Sequence, residues 1–252
     1  MSASPLSPWP DGYEGAVSLT FDDGIPSQLT TAIPMMNERG LRGTFYLNPR
    51  GDDWEADLAP WREVAAAGHE LGNHTIGHTC SRGFSDDPDA RGLEGLTLGD
   101  IDRDVSEAAQ RLQIFDPREG RSFAYPCYQC HVGEGLTRQS YVPVVARYCN
   151  SGRGKGEIAN HPATCDLHYL WSWPVERSWG PQLVGLAEQC ATRGRWGIMT
   201  FHGIHQGHLS VADVDFTELM MHLQRNASRI WVAPVAEIAA RVTRWRAKEA
   251  AQ

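Results

Sequence analysis

The run Thr20-Phe21-Asp22-Asp23-Gly24 sets two carboxylates side by side, directly after the apolar stretch Ala16-Val17-Ser18-Leu19. Successive side chains on a strand point to opposite faces. Asp22 and Asp23 therefore converge on one point only if the chain leaves the strand between or just after them, and Gly24 permits that turn. Carboxylates held close resist joint ionisation, which a cation between them or a shared proton relieves. The alternative is a plain polar turn, since Asp and Gly are ordinary turn residues.

The placement of the ten histidines answers part of that question. His74-Thr75-Ile76-Gly77-His78 puts two imidazoles four residues apart, directly after an expected strand. A helix aligns both rings at that spacing; a tight loop following Gly72 does the same. Imidazole with carboxylate is a zinc ligand set, and His74, His78 and Asp23 make three ligands with a position left for water, the catalytic pattern. Zinc (Zn2+) is the default ion; cobalt (Co2+) or nickel (Ni2+) fits the same donors. His202, in Met199-Thr200-Phe201-His202, ends another expected strand, where a near-neutral pKa suits general acid work. His205 and His208 follow in what reads as an exposed turn around Gly207, with a supporting role or a second weak metal site as alternatives.

Those residues need elements to hold them. The pattern predicts strands over Ala16–Phe21, Arg42–Leu47, His69–Asn73, Ser122–Tyr125, Gly197–Phe201 and Ile230–Val232. Helices are expected over Gln28–Arg39, Leu58–Ala67, Leu98–Phe115, Leu183–Thr192, Phe216–Gln224 and Pro234–Arg246, the first two ended by Gly40 and Gly68. Such alternation predicts an α/β fold with a parallel sheet, and about seven or eight units favour a closed barrel with its chemistry at the strand C-terminal ends. Asn48–Pro60, Thr79–Gly95 and Gly152–His168 read as the longer loops. The pattern is weakest from Cys127 to Trp179, where Pro143 interrupts a helical stretch.

The chain has 252 residues, 41% hydrophobic and 21% charged, with a net charge of -8. That describes a globular protein with a core of its own and argues against nucleic-acid or anionic-membrane partners. No run reaches the roughly 18 apolar residues of a spanning helix. The opening MSASPLSPWPDG lacks a basic start and an apolar core, so a cytoplasmic protein is expected; a chain trimmed of its leader, hence secreted, would read the same. Six cysteines are too sparse for a disulfide scaffold; free thiols are expected, with one or two bridges as the alternative. Cys127-Tyr128-Gln129-Cys130-His131 matches the pattern of c-type haem attachment, but it sits inside an α/β chain without an export signal.

Taken together, TFDDG, GHELGNHTIGH, FAYP at Phe123–Pro126 and TFHGI resemble the polysaccharide deacetylases with a NodB-homology domain, carbohydrate esterase family four. The likeness runs from about Gly15 to the C-terminal helix. It implies a distorted (β/α) barrel with about seven parallel strands, as one domain over residues 1–252 with 1–14 an N-terminal extension. Asp23, His74 and His78 would hold the metal, Asp22 would be the catalytic base and His202 the acid. Tyr125, Pro126, Cys127 and Tyr128 would line the substrate and offer a backbone N–H to the oxyanion. The reaction implied is removal of acetyl groups from amino sugars or acetylated polysaccharides such as chitin, peptidoglycan or xylan. The chain departs from the family at Ala124, where an arginine that orients the catalytic aspartate is expected. Arg153, from another loop, is the candidate substitute.

Two other readings compete with this one. The first is a metal-dependent amidase acting on a small non-carbohydrate amide. The second is a non-catalytic sugar-binding homologue. Among the nine tryptophans, Trp54, Trp61, Trp171, Trp173 and Trp179 fall in or near the longer loops, where they either stack on sugar rings or pack the rim. Oligomeric state is not legible.

Overall fold

The computed structural model describes residues 7–87, 89–207 and 209–251. Of the N-terminal extension expected over 1–14, residues 1–6 lie outside the described residues, as does His208. In chain order the strands are β1 (Gly15–Asp22), β2 (Thr44–Leu47), β3 (Glu70–Asn73), β4 (Ser122–Ala124), β5 (His131–Val132), β6 (Gln139–Ser140), β7 (Ser151–Arg153), β8 (Trp173–Pro174), β9 (Trp196–Phe201) and β10 (Ile230–Val232). The helices are α1 (Ile33–Asn37), α2 (Trp54–Leu58), α3 (Trp61–Ala66), α4 (Leu98–Phe115), α5 (Val142–Val145), α6 (Gly180–Arg193), α7 (Asp213–Arg225) and α8 (Val235–Glu249).

Seven parallel strands run in the order β7-β4-β3-β2-β1-β9-β8, and β10 pairs with the start of β1. Strands β5 and β6 form a separate antiparallel pair. The sheet curls until its ends approach. Leu170 bridges Arg153, Gly154 N–H donates to Leu170 O at 2.8 Å and Gly156 N–H to Ser172 O at 3.0 Å, immediately before β8 joins β9. The expected distorted (β/α) barrel is therefore the observed fold.

Side-chain alternation sorts the strand residues into two sets. On the outer set, Phe21 stacks on Phe45 and Phe201, with ring centroids 4.8 and 5.2 Å apart, and meets Phe216 of α7. The inner set is polar. Thr20 donates to Met199 O, Tyr46 pairs with Ser122, and Thr200 donates to Ser172. Glu70 closes the lower end, accepting from the Thr44 hydroxyl, Ser122 N–H and Ala236 N–H at 2.8, 2.7 and 3.0 Å. It thereby satisfies an otherwise orphaned donor in the first turn of α8. Gly72 is required by close approach, because a Cβ there would lie 2.3 Å from the Tyr46 ring.

Boundaries moved in one expected helix and in two expected loops. Gln28–Arg39 splits into a π-helical turn over Gln28–Ala32 followed by α1, and Asn48–Pro60 contains α2. Gly152–His168 begins inside β7, whose three residues are too few for an alternation signal. Helix α4 keeps its expected bounds. Thr97 and Asp100 cap it reciprocally, and Ile101, Val105, Ala108 and Leu112 form its buried stripe. Among the described residues no helix is long and apolar enough to cross a membrane.

Of the two cysteine readings the structure takes the second, with one bridge, Cys80–Cys127. It joins residues 47 apart in sequence, a pairing that spacing alone does not announce. Cys130, Cys149, Cys165 and Cys190 are free. With Cys127 bridged, the haem-attachment pattern lacks one of its two thiols.

Candidate active site

Positions of one inner face recur every second residue, so Asp22, His74, Arg153 and His202 all arrive at the same barrel mouth. They occupy the last inner positions of β1, β3, β7 and β9, or the next one beyond. Asp23 would point outward on a continuing strand. Instead it adopts φ 70°, the left-handed region, while its N–H still donates to Tyr46 O at 3.1 Å. The turn brings its carboxylate back beside that of Asp22.

The two carboxylates then diverge in company. Asp22 is buried and its Oδ1 accepts from Arg153 Nη2. Burial pulls the Asp22 carboxyl up, but Arg153, His74 and His202 outweigh it and hold the group below its ordinary value. Asp23 is more open. Its Oδ1 lies 3.6 Å from His74 Nε2 and 3.5 Å from His78 Nε2. One donor atom from each of Asp23, His74 and His78 lies within 4.8 Å of the others. His202 Nε2 stands 3.8 Å from Asp23 Oδ2.

His74 Nδ1 lies 2.8 Å from Ala124 O, which accepts its N–H and leaves Nε2 as a lone pair facing Asp23. Burial holds His74 below its usual pKa despite Asp22 and Asp23 nearby, so the ring is neutral, the form that binds cations. The His74–His78 segment is a loop, not a helix. Thr75 N–H donates to Asn73 Oδ1 at 2.9 Å, His78 N–H to Thr75 Oγ1 at 2.8 Å, and Asn48 Nδ2 to Thr75 O at 3.1 Å.

Arg153 is fully buried, with its guanidinium 4.8 Å from the Tyr46 ring centre and 5.9 Å from that of Tyr128. Among the described residues its Nε and Nη1 have no hydrogen-bond partner, so the aromatic faces and Asp22 are its company. Arg153, from β7, thus meets Asp22 directly.

The turn after β4 departs from expectation. Tyr125 is buried, packed on Phe123 and Tyr141, with its hydroxyl donating to His168 O at 2.7 Å, so its side chain does not line the site. Pro126 is also buried. Tyr128 N–H is taken up by Tyr125 O at 2.9 Å, which leaves Cys127 to offer a backbone donor. Cys127 and Tyr128 sit at φ 52° and 58°. Of the tryptophans, Trp61 and Trp173 are buried, Trp54 stacks under Arg111, and Trp171 and Trp179 are exposed. His205 stands in an exposed turn at φ 54°.

Sequence reasoning missed three supports. Gln28 Nε2 donates to Asp22 O at 2.6 Å and His202 O at 3.0 Å, tying two strand ends together. Asn48 and Asp104 hold the histidine loop. Each is a lone polar residue in a helix or loop, and no spacing marks it.

Residues 11–130 match the family model described as polysaccharide deacetylase. A chitin deacetylase from Colletotrichum lindemuthianum is 31% identical over 124 residues, covering 47% of this chain and 44% of that protein. The chain thus aligns with less than half the length of that relative. The fold is similar to that of a peptidoglycan deacetylase from Bacillus subtilis, with TM-score 0.57, 14% identity and 96% and 98% of the two chains covered. It is also similar to a family 4 acetyl xylan esterase from Clostridium thermocellum, solved with a cobalt ion, with TM-score 0.55, 16% identity and 89% and 90% covered.

Proposed function

We propose that the chain, which resembles the polysaccharide deacetylases over residues 11–130, is a metal-dependent hydrolase removing acetyl groups from an acetylated carbohydrate. We take residues 1–252 as one domain of that kind. The observation that carries the reading is the division between adjacent carboxylates: Asp22 is gripped by Arg153 while Asp23 faces two imidazoles. The donor set fits a divalent cation, because His74 Nε2 is a lone pair and the three donors lie within 4.8 Å of one another. Zinc is the default, with cobalt or nickel as alternatives.

A cation held by Asp23, His74 and His78 would acidify a water and polarise the acetyl carbonyl. Asp22, kept ionised by Arg153, takes the proton from the attacking water. The Cys127 N–H would donate to the oxyanion, a contribution of roughly 3 kcal/mol for a donor of this type. His202 gives a proton to the departing nitrogen or oxygen as the acetyl bond breaks, releasing acetate and a free amine or hydroxyl.

The named relatives act, by their names, on chitin, peptidoglycan and acetyl xylan, which supports an acetylated sugar as substrate. The Cys80–Cys127 disulfide favours an oxidising compartment over the cytoplasm. The deciding experiment is acetate release from acetylated chito-oligosaccharides, acetylated xylan and small acetamides, with zinc, cobalt or nickel supplied. Turnover of the sugars supports the proposal. Turnover of the acetamides alone would replace it with a small-molecule amidase.

A further inference from the structure

We infer that Asp104 and the Cys80–Cys127 disulfide are the two anchors that set the position of His78, and through it the affinity of the cation site. The inference rests on the metal reading above. His74 needs no such help: it follows β3 directly, its N–H donates to Leu47 O at 3.2 Å, and its ring is fixed on Ala124 O. His78 comes four residues later, at the end of a loop in which Thr75 and His78 have φ of 64° and 47°. A β-branched residue in that region is disfavoured, so neighbours outside the loop must hold it there.

Two neighbours do. On the N-terminal side, Asp104 Oδ1 accepts from Ile76 N–H at 2.5 Å and Gly77 N–H at 3.1 Å. Asp104 belongs to α4, whose capped start and buried stripe make it a firm support. On the C-terminal side, Cys80 is bonded to Cys127 with Cα atoms 5.8 Å apart, and Ser81 N–H donates to Gln129 Oε1 at 2.7 Å. The loop is thus pinned to a helix on one side of His78 and to the turn after β4 on the other. Both anchors act through His78 rather than on substrate, so they are positioning residues.

The test is a cobalt titration of the full chain followed by visible absorption, for the wild type, Asp104→Ala, Asp104→Asn and the double variant Cys80→Ser/Cys127→Ser. Thermal melts of the metal-free proteins check folding. Supports of this kind are worth about 10–100-fold in metal affinity. Asp104→Ala and the cysteine pair should each bind cobalt that much more weakly with an altered absorption band, and Asp104→Asn, which keeps an acceptor oxygen, should recover part of the loss. If Asp104→Ala does not fold, the cysteine pair decides. Folded variants that bind cobalt as tightly as the wild type overturn the inference. Wild type that binds cobalt but releases no acetate overturns the deacetylase reading alone, whereas wild type that binds no cobalt overturns the metal reading and this inference together.

Discussion

Asp22 and Asp23 are chemically the same side chain and are covalent neighbours, yet their surroundings differ, and the proposed roles follow from that difference. Asp22→Asn should therefore keep its metal and lose turnover by roughly 10²–10⁴-fold, the usual worth of a general base. Asp23→Ala should lose both. Metal content by elemental analysis alongside acetate release separates the two, and a metal-loaded Asp22→Asn with wild-type turnover contradicts the base assignment. Arg153 holds the Asp22 carboxyl down. A base acts when ionised, so removing that cation raises the pH at which activity sets in. Arg153→Met should move the acidic limb of kcat/KM upward; Arg153→Lys, which retains the charge, should move it less. An unmoved limb in a folded Arg153→Met would mean that the arginine does not tune this carboxylate.

Among the elements, β3 does two jobs through one face. Its first residue, Glu70, fastens the start of α8 and the neighbouring strands at the lower end, and the residue just after it, His74, faces the mouth. A buried carboxylate taking three donors engages both of its oxygens, and neither can donate. Glu70→Gln would turn an NH2 group toward one of those donors and should cost about 1–3 kcal/mol. Urea unfolding reads this as a lower midpoint, and an unchanged midpoint would show that the lower end closes without the carboxylate. The elements of fewer than five residues, β7 and β8 among them, carry Arg153 and complete the ring. Periodicity is silent over so few positions, which is why the stretch from Cys127 to Trp179 was the least legible.

The whole molecule also has an acid-sensitive joint away from the mouth. His69 is buried, accepts Gly43 N–H on Nδ1 at 3.1 Å and places Nε2 3.1 Å from Asn37 Oδ1. Burial, with Arg42 and Arg118 nearby, lowers its pKa to about 4. The folded state holds it neutral while the unfolded chain protonates near 6.5, so its contribution is present above that pH and is lost as pH falls toward 4. The loss should reach about 3 kcal/mol. Urea midpoints at pH 7.5 and 4.5 should differ more for the wild type than for His69→Asn; equal differences would put the acid sensitivity elsewhere.

By itself the sequence determined the strand–helix alternation and the bounds of α4, and it singled out Asp22, Asp23, His74, His78 and His202, which the fold brings to one mouth. Those signals are local: alternation, helical spacing and adjacent donors are written in residues close along the chain. It also nominated Arg153 without a geometric reason. Only the tertiary structure decided that Arg153 reaches Asp22, that Tyr125 turns into the core, that Cys80 meets Cys127, and that Gln28, Asn48 and Asp104 brace the mouth. These are contacts between residues far apart in the chain, made when the parallel sheet curls and brings its strand ends together, and no local pattern encodes which distant partners that closure will join.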